Sequence, residues 1–118
     1  MTRIDPAHIV GTGGALGALL RYLLGQWIDA DAFPVATIAV NVIGSFVLAA
    51  LTFAGSSETV VLLLGTGACG SFTTFSSFSV QTVRLWETGD RNRALINAVG
   101  TLLGATVAIG LAWLAVGR

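Results

Sequence analysis

Lysine is absent from this sequence, and arginine supplies all six basic residues. Charge of either sign is scarce: 10% of the residues are charged, where a soluble domain carries about a quarter. Formal net charge is zero, which argues against a general electrostatic pull on nucleic acid. The single cysteine, Cys69, cannot close an intrachain disulfide and gives no information on redox compartment. One histidine and no pair of Cys or His at ligand spacing leave no side-chain metal centre. With no catalytic dyad and no segment long enough to form a domain outside the hydrophobic runs, an enzyme is not expected.

What fills the chain instead is apolar, at 54% of the residues. The charges divide it. Between Asp31 and Glu58 lie 26 uncharged residues, between Glu58 and Arg84 lie 25, and between Arg93 and Arg118 lie 24. A membrane-crossing helix needs roughly 20 apolar residues, because the hydrocarbon layer is about 30 Å thick and a helix rises 1.5 Å per residue. A fourth run, from Ala7 to about Ile28, carries Arg21 as its one charge and is too long for the core of a secretory leader. These runs predict an all-α integral membrane protein, a single transmembrane domain over 1–118 with helices at about 7–28, 34–54, 59–85 and 94–117. The connections are Asp29 to Phe33, Gly55 to Glu58 and Trp86 to Arg93, too short to hold a soluble domain. Trp27, Trp86 and Trp113 fall near span ends, as interfacial aromatics do.

Four spans put both termini on one side. Arg3 and Arg118 lie there, and Arg84, Arg91 and Arg93 lie on the other. Two against three fixes no orientation by the positive-inside rule, and a chain that inserts both ways round would show such a balance. Gly13 and Gly17, and again Gly100 and Gly104, form GxxxG pairs that allow helices to approach closely. Four helices make a bundle with little interior, so buried polar groups need cover from another subunit; an oligomer, most simply a dimer, is expected.

Polar residues inside the spans are the candidates for function. Gly11 to Gly17 has the look of a nucleotide-binding loop, but Leu16 stands where the third glycine belongs and no strand precedes it, so packing is the better reading. Arg21, two-thirds along the first span, either marks a paired functional site or snorkels to the interface. Thr37, Asn41 and Ser45 recur at four-residue steps on one helix face. Asn41 could bond a neighbouring helix or present its NH2 group to an anion path. The third span is interrupted by Gly70-Ser71-Phe72-Thr73-Thr74-Phe75-Ser76-Ser77-Phe78. Gly, Ser and Thr are poor helix formers, and Ser and Thr hydroxyls compete for the backbone. A break is therefore expected, and irregular backbone at membrane depth is tolerated only where it is buried or lines a cavity. Carbonyls freed at such a break can hold a cation. Phe75 and Phe78, three apart, share a face; ring edges are positive and can meet a small anion without a full charge. The hydroxyls of Thr74, Ser76 and Ser77 add donors.

These residues resemble a known family. Gly13-Gly14-x-x-Gly17-Ala18-x-x-Arg21-Tyr22, Thr37-x-x-x-Asn41-x-x-Gly44-Ser45-Phe46 and Gly67-x-Cys69-Gly70-x-x-Thr73-Thr74-Phe75-Ser76-x-Phe78-Ser79 together look like the CrcB/Fluc fluoride channels, in order and over the whole chain. The resemblance implies an antiparallel, dual-topology dimer of four-helix subunits in the cell membrane of a prokaryote, with two fluoride pores and passive fluoride export that lowers cytoplasmic fluoride. It implies a structural sodium ion held by the backbone carbonyls of Gly70 and Thr73. It implies a fluoride pathway lined by Asn41, Phe75 and Phe78, with Arg21 as a possible structural charge. The partner is an identical chain or a paralogue. Two positions depart from the pattern: Ser71 replaces a second glycine, and Gln81 replaces a glutamate. Thr101 and Thr106 are the hydroxyls that the fourth helix offers.

Two other classes compete with a fluoride channel. A small four-helix multidrug exporter would need a carboxylate inside the membrane, whereas Glu58 and Glu87 sit at span ends. A non-transporting membrane assembly protein would need only the glycine faces, and leaves the third-span tract without a use.

Overall fold

The computed structural model describes residues 4–28 and 33–117. Arg3, Arg118 and residues 29–32 of the first connection lie outside the described residues. The described chain is helical and includes four helices long and apolar enough to cross a membrane. α1 spans Pro6–Trp27, α2 Val35–Phe53 and α6 Arg91–Val116, while the third span, Glu58–Glu87, is built of four pieces. These are α3 (Glu58–Val60), a π-helix π1 (Val61–Cys69), α4 (Gly70–Phe72) and α5 (Phe75–Glu87).

Local chemistry sets the ends. Asp5 accepts the Ala7 N–H at 2.9 Å and Pro6 opens α1, where its missing N–H leaves no donor unsatisfied. Ser57 accepts from Val60 N–H at 3.3 Å, with Glu58 in the first turn of α3, where a negative charge suits the helix dipole. Gly55 (φ 68°) and Gly89 (φ 88°) follow the ends of α2 and α5, in the left-handed conformation that closes helices and favours glycine.

Packing is by backbone rather than by large side chains. α1 lies against π1, where Gly13 and Gly17 are buried. A Cβ on Gly13 would fall on the Leu63 carbonyl, one on Gly17 on the Ala68 carbonyl, and one on Gly67 within 2.7 Å of the Val10 carbonyl oxygen. The first GxxxG pair therefore serves close helix packing, the reading favoured over a nucleotide loop. The second pair divides: a Cβ on Gly104 would come 3.0 Å from Val42 of α2, whereas one on Gly100 meets nothing within 4 Å. α2 packs on α6, and Val40 and Asn97 are the largest fully buried side chains. The interior is thus thin, and Leu19, Leu102 and Leu103 point outward, as lipid-facing residues do.

The tract in the third span is less broken than its composition suggests. Gly70 to Phe72 are helical, and the interruption is confined to Thr73 (ψ 161°) and Thr74 (φ −152°, ψ 118°). The wider turns of π1 lie before it, a winding that often marks functional segments and that residue composition does not signal.

Candidate functional site

At the interruption, two other helices converge on two residues. Arg21 of α1 donates from Nη1 to the Thr73 carbonyl at 3.4 Å. It pairs with a backbone carbonyl at the break, one of the partners that an arginine at membrane depth takes. Asn41 of α2 accepts the Thr74 N–H on Oδ1 at 2.8 Å and donates from Nδ2 to the Thr74 carbonyl at 3.1 Å. Gly44, one turn further along α2, admits the Thr73 methyl: a Cβ there would fall on Thr73 Cγ2. The Thr73 hydroxyl bonds back to the Cys69 carbonyl at 2.9 Å.

α5 starts directly after the break. Thr74 Oγ1 accepts the Ser77 N–H at 3.1 Å as its cap. Phe75 and Phe78 follow on one face, with ring centroids 5.9 Å apart and planes tilted by 42°. Phe75 is 80% exposed on a single chain, so its ring projects from the subunit rather than packing within it.

A groove of about 650 Å³ runs beside the break. Asn41, Gly70, Thr73, Thr74, Phe75 and Phe78 all line it, so six of the expected site residues share one surface. Ser77 does not. It lines a second recess of about 400 Å³ with Arg21 and Thr37, and Thr74 borders both. Ser76 is exposed, its hydroxyl 3.3 Å from that of Thr74.

The carbonyls proposed for a cation differ in their surroundings. In an unbroken helix the Thr74 N–H would bond the Gly70 carbonyl; here it bonds Asn41, which frees Gly70 oxygen of that donor. A Cβ on Gly70 would meet nothing within 4 Å. The Thr73 oxygen already accepts from Arg21 but keeps a second lone pair. Backbone carbonyl oxygens are hard donors of the kind that an alkali cation takes.

On the fourth span the structure selects Thr101 over Thr106. Thr101 is buried and lines the groove, whereas Thr106 is exposed and bonds the Leu102 carbonyl at 2.8 Å. Asn97, which the sequence reading passed over, is fully buried and donates to Thr82 Oγ1 at 2.8 Å, while Thr82 donates to the Phe78 carbonyl at 2.7 Å. Gln81 Oε1, Asn97 Oδ1 and Thr101 Oγ1 are buried without a hydrogen-bond partner among the described residues. The signal available was spacing: Asn97 and Thr101 stand four apart, on one helix face.

A family model described as CrcB-like protein, Camphor Resistance (CrcB), matches residues 8–117. The chain belongs to the CrcB-like family. Curated relatives span nearly its full length. It is 58% identical over 113 residues to "Fluoride-specific ion channel FluC 2" of Haloarcula marismortui, covering 96% of this chain and 95% of that one. It is 52% identical to "Fluoride-specific ion channel FluC 1" of Halobacterium salinarum, covering 94% and 93%. It is 44% identical to "Fluoride-specific ion channel FluC 2" of Rhodococcus jostii, covering 90% and 91%. The matched span of this CrcB-like chain includes the break, both phenylalanines, Arg21 and Asn41.

Proposed function

We propose that this chain is a fluoride-selective channel that carries fluoride passively out of a prokaryotic cell across its plasma membrane, and so lowers cytoplasmic fluoride. The observation that carries this reading is the two-residue interruption at Thr73–Thr74, which starts α5 so that Phe75 and Phe78 stand as a tilted pair over a groove that Asn41 also lines. The names of the curated relatives support the identity of the ion.

The mechanism follows from the cost of burying an anion. An isolated charge in a low-dielectric medium costs tens of kcal/mol, so each lost water must be replaced. The second N–H of Asn41, not engaged by Thr74, is one donor; ring edges of Phe75 and Phe78 carry partial positive charge. Neither binds as tightly as a fixed arginine or lysine would, which keeps exit fast. The Thr74 hydroxyl borders the groove, and those of Ser76 and Ser77 extend the polar surface away from it.

The active form is a dimer, antiparallel and of dual topology, formed with a second copy or a paralogue. The exposure of Phe75 and the open groove on a single chain support this, because polar groove atoms facing lipid would be left unsatisfied. The Gly70 and Thr73 carbonyls of two subunits would hold a structural sodium ion, which supplies fixed positive charge near the anion path.

The test is fluoride efflux from liposomes holding the purified protein, compared with chloride efflux, with sodium present or replaced by a large organic cation. Fluoride efflux that depends on sodium and is lost in Phe75→Ile and Phe78→Ile, both still dimeric by cross-linking, is expected. Unchanged efflux in both variants would overturn the mechanism.

A further inference from the structure

Asn41 makes a pair of hydrogen bonds that an ion ligand does not need. Thr74 is extended and is the N-cap of α5, so its N–H has no place in the ladder of the piece before it. The Asn41 carboxamide meets that residue at both ends: Oδ1 takes the Thr74 N–H at 2.8 Å, and Nδ2 gives to the Thr74 carbonyl at 3.1 Å. This is the exchange that opposite residues make in an antiparallel sheet, performed here by a side chain. The orientation of the amide is fixed by chemistry. A backbone N–H can only donate and a carbonyl can only accept, so Oδ1 must face the first and Nδ2 the second.

We infer that Asn41 is a positioning residue, whose carboxamide clamps Thr74 and thereby sets where the Phe75–Phe78 pair begins. The chain of contacts is short. Asn41 holds the Thr74 backbone, the Thr74 hydroxyl caps α5 at Ser77, and Phe75 is the next residue in the chain. Without the clamp, the Thr74 N–H at membrane depth loses its partner, and the least costly repair is to wind Thr74 back into a helix. Continued winding would return the Thr74 N–H to the Gly70 carbonyl and turn both rings about the helix axis. The clamp therefore also keeps the Gly70 carbonyl free. This role rests on the channel reading and adds to the donor role of the remaining N–H.

The variant that tests it is Asn41→Asp in the full chain. A carboxylic acid has the same shape as the carboxamide and, when protonated, one donor and one acceptor. When ionised it sets an oxygen against the Thr74 carbonyl and loses one arm of the clamp. Two quantities are measured from pH 8 to pH 5.5: amide exchange of the segment 73–78 in fluoride-free micelles, corrected for intrinsic rates, and fluoride efflux from vesicles with protein-free leakage subtracted. Wild type should hold both constant. In the variant, protection and efflux should each fall at least tenfold at pH 8 and recover together as pH is lowered, with one midpoint. Wild-type protection in a variant that has lost efflux would mean that Asn41 acts on the ion alone. Lost protection with unchanged efflux would mean that the clamp does not place the rings. Either result overturns the inference.

Should the variant not fold, the Thr74 amide of the wild type decides. It should exchange at least a hundredfold more slowly than a free amide in the absence of fluoride, and free-amide exchange overturns the clamp. A wild type that passes no fluoride would sink the channel reading, while the Thr74 amide would still judge the clamp.

Discussion

The Ser71 hydroxyl reaches the Gly14 carbonyl of α1 at 2.7 Å, bonding across the interface that the glycines bring together. The carbonyls of Gly67 and Ala68 lie at 3.1 and 3.3 Å from the same oxygen, but a hydroxyl has one proton, and the shortest contact takes it. Ser71 is thus a link between α1 and α4 just before the break. Ser71→Ala should cost about 0.5–1.5 kcal/mol of stability, read as a lower midpoint of unfolding in detergent. The break is held by other residues, so efflux by Ser71→Ala should match that of wild type.

Gly44 is where α2 meets the break. Gly44→Ala places a methyl on Thr73 Cγ2, and overpacking of this kind costs about 1–3 kcal/mol. Fluoride efflux should drop at least about fivefold, since 1.4 kcal/mol is a factor of ten. Gly11→Ala is the control, because a Cβ there meets nothing within 4 Å and Ala is the better helix former. Equal efflux from the two variants would show that the close approach of α2 is immaterial.

The Arg21 guanidinium shares the Thr73 carbonyl that is proposed to hold sodium. Two cations on one oxygen repel each other by about 1 kcal/mol at 4 Å in water. Arg21→Gln removes that repulsion, so the sodium concentration for half-maximal efflux should fall about fivefold. A sodium dependence unchanged or shifted upward would count against Gly70 and Thr73 as the cation's ligands.

Thr101 Oγ1 is buried without a partner among the described residues, and an unsatisfied hydroxyl costs about 1–3 kcal/mol. Thr101→Val keeps the shape and removes the polar atom. The variant should be more stable by about 1 kcal/mol on that scale, yet pass fluoride more slowly, because a residue that lines the groove loses its polar atom. Thermal unfolding and efflux on the same preparation check both halves. A gain in stability with no loss of efflux would make the hydroxyl a plain defect of packing.

Much of the site was legible because its parts are rare at membrane depth. Asn41, the hydroxyl run Thr73 to Ser77 and the two phenylalanines stand out against an apolar background, and six of the expected residues do line one groove. Asn97 was missed because, read along the chain, it is an ordinary polar residue near a span end; only the packing of α6 against α2 and α5 buries it. Ser77 was grouped with the anion path because it is close in sequence, but a helical turn carries it to the other recess.

By itself the sequence determined the four spans, because each uncharged stretch is long enough to bury its own backbone hydrogen bonds within lipid. It determined that the third span would falter near Gly70, since Gly, Ser and Thr crowd there. Only the tertiary structure decided where the break falls. Gly70 to Phe72 stay helical because their backbone can still bond within the span. Thr73 and Thr74 do not, because Arg21, Asn41 and Gly44, from two other helices, offer their peptide groups partners and room that a continued helix cannot.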